Sequence, residues 1–312
     1  MRSFLYFRRL LPALILLCSS LVNSQVLPVP PSGDNQRCVV TQYIGSLVHI
    51  TVTYNSPDVT GPDGMDRTGK IWGTPVAHYG LVDQGFGNGQ PAPWRAGANE
   101  ATVFECSHPI AIDGQPLAAG RYALYLELAD EGPWTWVFSN HPEVWGSYFY
   151  DPKDVVLRVP TEPTDHPRTE WLTYVFTDRQ PEAATLELQW ELKSVPMRIT
   201  VPGMTDIYVR AIRDRLDGST TGFNHQPWVD AARFLLERNE RLDQALAWID
   251  FSINDGFVGR REFDAMTIRA QILLRLGRQE EGYAAIAEAL GAAGLRLREL
   301  RVLPRVLPTF EP

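Results

Sequence analysis

The sequence predicts an α+β chain: an antiparallel β-sandwich of jelly-roll-like character, followed by a small all-α domain of helical hairpins. Three observations predict it. From about residue 38 to residue 201 apolar and polar residues alternate with period two. Turn signals separate these runs and no helical pattern intervenes, which favours an antiparallel arrangement with one apolar face per strand. After Val201-Pro202-Gly203 the apolar spacing lengthens to that of helices.

The elements follow in order. Arg2, Arg8 and Arg9 precede a short apolar run, Leu10 to Leu17, and Val22-Asn23-Ser24 ends in a small residue. That is the pattern of a signal peptide over residues 1–24, and the run is too short to span a bilayer. The expectation is a secreted or periplasmic protein with no transmembrane segment in its mature chain. Lipid attachment through Cys18 is disfavoured, because Leu17 stands where such sites carry a small residue. Residues 25–37, broken by Pro and Gly, read as a linker.

Residues 38–201 form the expected β domain. In Val48 to Tyr54 the apolar side chains share one face and His49, Thr51 and Thr53 the other. Tyr122, Leu124, Leu126 and Leu128 form one expected stripe, and Leu186, Leu188, Trp190 and Leu192 another. Further strands are expected at 102–106, 134–138, 155–159 and 171–177, with Trp134 and Trp136 in the core. Asp113-Gly114 predicts a tight hairpin, since both residues tolerate positive φ. Residues 55–99 are rich in Gly and Pro and lack strand pattern. Such long irregular stretches are usually functional or mobile, so a site is expected there.

Helices are expected at 206–216, 227–239, 241–253, 261–276 and 278–290, within a helical domain at 203–303. Residues 304–312 read as a flexible tail. Arg241-Leu242-Asp243-Gln244-Ala245-Leu246 and Arg278-Gln279-Glu280-Glu281-Gly282-Tyr283 hold matching places in successive hairpins, 37 positions apart. This resembles tetratricopeptide repeats, whose period is about 34. Such a tail offers a surface to a protein partner, or else buttresses the β domain.

The formal net charge of −8 argues against nucleic acid and anionic membrane surfaces, which call for clustered Lys and Arg. Cys38 and Cys106 are the pair left after the signal peptide, and export makes a disulfide between them an open expectation. No His pair has helical i, i+4 spacing, so neither a metal nor another cofactor is expected; a metal site built across strands would take His78, with Glu100 as partner.

The most distinctive residues are Thr53-Tyr54-Asn55-Ser56-Pro57, Gly69-Lys70-Ile71-Trp72-Gly73, His78-Tyr79-Gly80, Trp94-Arg95-Ala96-Gly97-Ala98-Asn99-Glu100-Ala101-Thr102, Leu117 to Leu124, and Trp145-Gly146. In this order, over roughly residues 38–200, they resemble the exported bacterial family called domain of unknown function 2911. The resemblance implies a β-rich exported domain, often followed by a helical-repeat tail, and implies no activity. Two departures stand out: Leu81 to Pro93 is an inserted Gly- and Pro-rich loop, and His78 stands where the family commonly has Pro.

Physically, Trp72, Tyr79 and Trp94 offer flat apolar faces, while Lys70, His78, Arg95, Asn99 and Glu100 offer directed polar groups. Aromatic faces with a few convergent polar side chains suit a small polar ligand or a glycan. Arg95 would grip a carboxylate or phosphate, and Glu100 would serve as an acid or base. The same residues would equally lock the irregular stretch onto the sheet through an Arg95–Glu100 ion pair. The leading expectation is a non-enzymatic binding or accessory module of the cell envelope. A hydrolase or lyase using Glu100 on a sugar or envelope component is the alternative, and a protein-interaction module acting through the tail is a third.

Overall fold

The structure is a computed structural model that describes residues 35–292. The expected signal peptide, Cys18, nearly all of the linker and the C-terminal tail lie outside the described residues. Ten strands come first: β1 (Gln36–Ile44), β2 (Val48–Ser56), β3 (Thr102–Cys106), β4 (Ile110–Ile112), β5 (Gln115–Leu117), β6 (Gly120–Glu127), β7 (Trp134–Ser139), β8 (Val155–Thr161), β9 (Thr164–Gln180) and β10 (Ala183–Thr200). Five helices follow: α1 (Met204–Gly218), α2 (His225–Arg238), α3 (Leu242–Asn254), α4 (Phe263–Arg275) and α5 (Gln279–Ala292). The chain is α+β, with the β part first.

The strands make two antiparallel sheets, in the orders β1-β2-β3-β6-β7-β8 and β5-β4-β10-β9. Alternation drives this. Val48, Ile50, Val52 and Tyr54 of β2 and Tyr122, Leu124 and Leu126 of β6 point inward, into one core shared with Leu172, Leu186, Leu188 and Val195 of the second sheet. Asp113 and Gly114 turn β4 into β5 with φ of 46° and 82°. β1 escapes the period-two test because its outer face carries Val39 and Tyr43, as apolar as Cys38, Val40 and Ile44 on its inner face.

β10 departs from expectation. Leu186, Leu188 and Trp190 are buried, but so is Glu191, while Leu192 is 40% exposed. The register with β9 shifts on both sides of Glu191, whose φ is 54°. A bulge there moves the alternation by one residue and turns Glu191 into the interior. Its carboxylate accepts from Gly69 N–H (2.8 Å), Trp72 Nε1–H (3.1 Å) and Leu192 N–H (2.7 Å). Three donors satisfy a buried anion that would otherwise be costly.

The expected Cys38–Cys106 disulfide is not formed, and both thiols are free. Cys38 pairs with Tyr54 across β1–β2, whereas Cys106 pairs with Ile50 across β2–β3. With β2 between them and four residues of offset, their Cα atoms lie roughly 15 Å apart. Disulfides require about 7 Å or less.

The helices bury a second core, in which α2 packs on α3 and α4 on α5. Gly277, with φ of 76°, ends α4 in the left-handed conformation. The helical part meets the sheets through Tyr208, whose hydroxyl accepts from Ser46 N–H at 2.8 Å, and through an Arg238–Glu182 ion pair. Among the described residues no helix is long and apolar enough to cross a membrane.

Two outcomes are expected. Glu191→Ala leaves three donors unpaired and costs about 3 kcal/mol in denaturant unfolding, whereas Glu191→Gln costs about 1 kcal/mol. Cys38 and Cys106 both react with a thiol reagent after denaturation without reductant, and reductant leaves the thermal midpoint unchanged.

Candidate functional site

Outside the sandwich, on the outer face of the six-stranded sheet, lies a groove of about 300 Å³. Strand alternation supplies its floor: Thr53 and Asn55 of β2 and Val103 of β3 point outward. Arg37 of β1, in register with Asn55, and Arg121 of β6 flank it. Residues Pro142 to Trp145 form one wall, held to the sheet by Ala101 N–H donating to Val144 O at 3.1 Å. Behind that wall Ala92, Ala101, Ala123, Tyr125, Val137 and Tyr150 bury a small apolar cluster, so β6 is covered on both faces.

Charge is unevenly matched across the groove. Arg121 pairs with Glu143 (2.6 Å) and Glu105 (3.3 Å). Glu100 makes no ion pair and accepts from the buried Asn55 amide at 2.7 Å. Arg37 has no ion pair among the described residues. Trp145 stands 51% exposed on the wall.

The segment 94–100 places Glu100. Trp94 pairs with Leu126 of β6 and so extends the sheet where β3 has not yet begun. Alternation then sends Trp94 and Ala96 inward and leaves Arg95 half-buried between them. Positive φ at Ala96 (51°) and Asn99 (56°) curls the chain before β3. Arg95 spans this curl, donating from Nη1 to Asn99 O at 2.9 Å. Its guanidinium also lies 5.5 Å from the Tyr148 ring centre and directly against Gly146, where a Cβ would come within 2.7 Å of Nη1. Arg95 therefore braces the chain just beyond the groove wall.

The expected site residues are thus divided. Glu100 lines the groove. Arg95 and Asn99 line a second cleft, of about 270 Å³, with Asp58, Arg67 and Trp190. Trp72 and Trp94 belong to the interior: Trp94 is 3% exposed, stacks on Trp190 at 5.9 Å and meets Trp72 edge-on at 5.8 Å, and Trp72 reaches Trp134 at 5.1 Å. Tyr79 lays its ring against Gly73, whose Cβ would meet Cε2 at 2.3 Å. His78 holds Gln84 of the inserted loop at 3.1 Å. Burial pushes its ring below the ordinary imidazole range, and the nearby Arg95 charge acts in the same direction. Lys70 is exposed and outside both clefts. Arg95 and Glu100 form no ion pair with each other. Among the described residues no three His, Cys, Asp or Glu side chains converge as metal ligands.

The inserted loop closes on itself through paired Val82–Ala92 hydrogen bonds of 3.0 Å. Phe86 at its tip packs on Tyr148 and Phe149, and Asn88 donates from Nδ2 to Tyr150 O at 2.8 Å. The insert thus shores up the chain that continues the groove wall.

Asn55 and Trp145 lie within the distinctive motifs, but nothing in their local pattern marks them as groove residues. Arg37, Arg121 and Glu143 carry no sequence signal, since strand register alone brings them there.

A family model described as Protein of unknown function (DUF2911) matches residues 35–199. The chain belongs to this family. The DUF2911 region runs from the start of β1 almost to the end of β10 and supplies every described residue of the groove and the second cleft. No curated protein and no solved structure matches the chain.

Gly146→Ala is expected to lower stability by roughly 2 kcal/mol, because it strains a φ of 58° and displaces Arg95. Chemical denaturation checks this, and Arg95→Ala should remove most of the clash contribution in the double variant.

Proposed function

We propose that this protein is an exported binding module of the cell envelope, whose β domain holds a small polar ligand or glycan unit in the outer groove. One observation carries the reading: an exposed indole, Trp145, borders a polar floor on which the Asn55 side-chain amide donates to the Glu100 carboxylate, which has no ion-pair partner among the described residues. A flat apolar face beside a fixed acceptor and an amide matches a sugar ring, which shows C–H groups on its face and hydroxyls at its edge. Glu100 accepts ligand hydroxyls and Arg37 donates to them. The N-terminal charge and hydropathy pattern supports export, and the helical hairpins are read as a short tetratricopeptide-like tail that buttresses the β domain.

Binding is preferred to hydrolysis because acid–base chemistry asks for two titratable groups at one ligand position. The second carboxylate of the groove, Glu143, is neutralised by Arg121.

Calorimetric titration with a panel of mono- and disaccharides, amino sugars included, tests the proposal. Trp145→Ala and Glu100→Gln should each weaken binding by about tenfold or more while leaving the thermal midpoint in place. Absence of binding across the panel, or binding indifferent to both substitutions, rejects it.

A further inference from the structure

The second cleft has a feature that packing does not explain. Trp190 is fully buried, yet its Nε1–H has no hydrogen-bond partner among the described residues. Three other buried indoles find acceptors: Trp134 donates to Ala129 O at 2.9 Å, Trp136 to Pro196 O at 3.0 Å and Trp228 to Gly222 O at 2.9 Å. Buried donors are almost always paired, so an exception needs a physical reason. Trp190 lines the cleft at the end of the sandwich, where the chain at 57–58 and 95–99 passes in front of β10. The bulge that turns Glu191 inward and satisfies it three times buries Trp190 beside it with nothing to accept from it.

The charge of the lining points to a ligand class. Two arginines, Arg67 and Arg95, and one carboxylate, Asp58, line the cleft, and the closest approach of Asp58 to the Arg67 guanidinium is a long 4.0 Å. Main-chain carbonyls hold Arg67 in place: Nη2–H donates to Asp58 O at 2.7 Å and Nε–H to Val59 O at 3.2 Å. A cleft with excess positive charge and an open buried donor suits an oxygen acceptor bearing negative charge. Its volume of about 270 Å³ has room for a small organic acid.

We propose that this cleft is a binding site for a small organic carboxylate, with one oxygen accepting from Trp190 Nε1–H and the charge balanced by the arginines. The site is separate from the sugar groove and does not depend on it.

The test uses the full chain, ¹⁵N-labelled, with its indole N–H resonances followed during titration with acetate, lactate, succinate and gluconate. A saturable downfield shift of the Trp190 indole proton with at least one of these acids is expected. That resonance is assigned by its absence in Trp190→Phe, or by through-bond experiments on the wild type if the variant fails to fold. In Trp190→Phe, calorimetric affinity for the same acid should fall at least tenfold, and in Trp145→Ala it should be unchanged. The proposal is overturned if no acid moves the Trp190 resonance, as when a structural water satisfies it. It is likewise overturned if only neutral sugars move it, or if Trp190→Phe binds the acid as tightly as the wild type.

Discussion

The fold turns on one buried carboxylate. Glu191 sits at a bulge in β10 and ties together three stretches of chain: its own strand, the turn at Gly69 and the indole of Trp72. A long Gly- and Pro-rich segment has few backbone partners of its own and would leave its polar groups to water. Anchoring it at an internal acceptor turns it into part of the wall of the sandwich. Trp72 then contacts Trp94, Trp134 and Trp190, and four indoles from distant parts of the chain fill the end of the core.

That anchor also explains why sequence neighbours part company. Beyond Thr102, β6 loses β3 as a neighbour, and the irregular segment takes the vacant edge through the Trp94–Leu126 and Tyr79–Leu128 bridges. Once there, residues 94–96 obey strand alternation. Trp94 serves the core, Arg95 braces the chain beside the outer groove, and Ala96 offers its carbonyl to Thr102 and Tyr174. A motif contiguous in sequence is therefore spread over a core, a groove and a cleft.

Legibility followed the range of the interaction. Period-two stripes in β2 and β6, the Asp113-Gly114 hairpin and the Gly277 stop are local signals, and each predicted its element. The extra residue at Glu191 is set by tertiary hydrogen bonds, so the stripe through Leu192 failed there. Glu100 stood out in the sequence because aromatic and polar side chains cluster around it at the end of the irregular stretch, and it does line the groove. Arg37, Arg121 and Glu143 were not, because register across four strands has no signature in the chain. The disulfide expectation failed for the same reason: a parity of cysteines says nothing of the strand that lies between them.

The two clefts differ in how their polar groups are screened, and that difference bears on what each could bind. In the outer groove the charges are solvated, and ion pairs such as Arg121–Glu143, with side chains 51% and 73% exposed, contribute little on their own. In the proposed binding mode, selectivity there would rest on shape, on the indole of Trp145 and on the Asn55–Glu100 hydrogen bond. At the end of the sandwich the unpaired donor belongs to a buried indole packed on Trp72 and Trp94 at the edge of the cleft, where an unmade hydrogen bond is costly and a made one is strong. A single buried N–H can thus discriminate more sharply than several exposed charges, and it does so at the point where the bulge that anchors the fold leaves one indole unanswered.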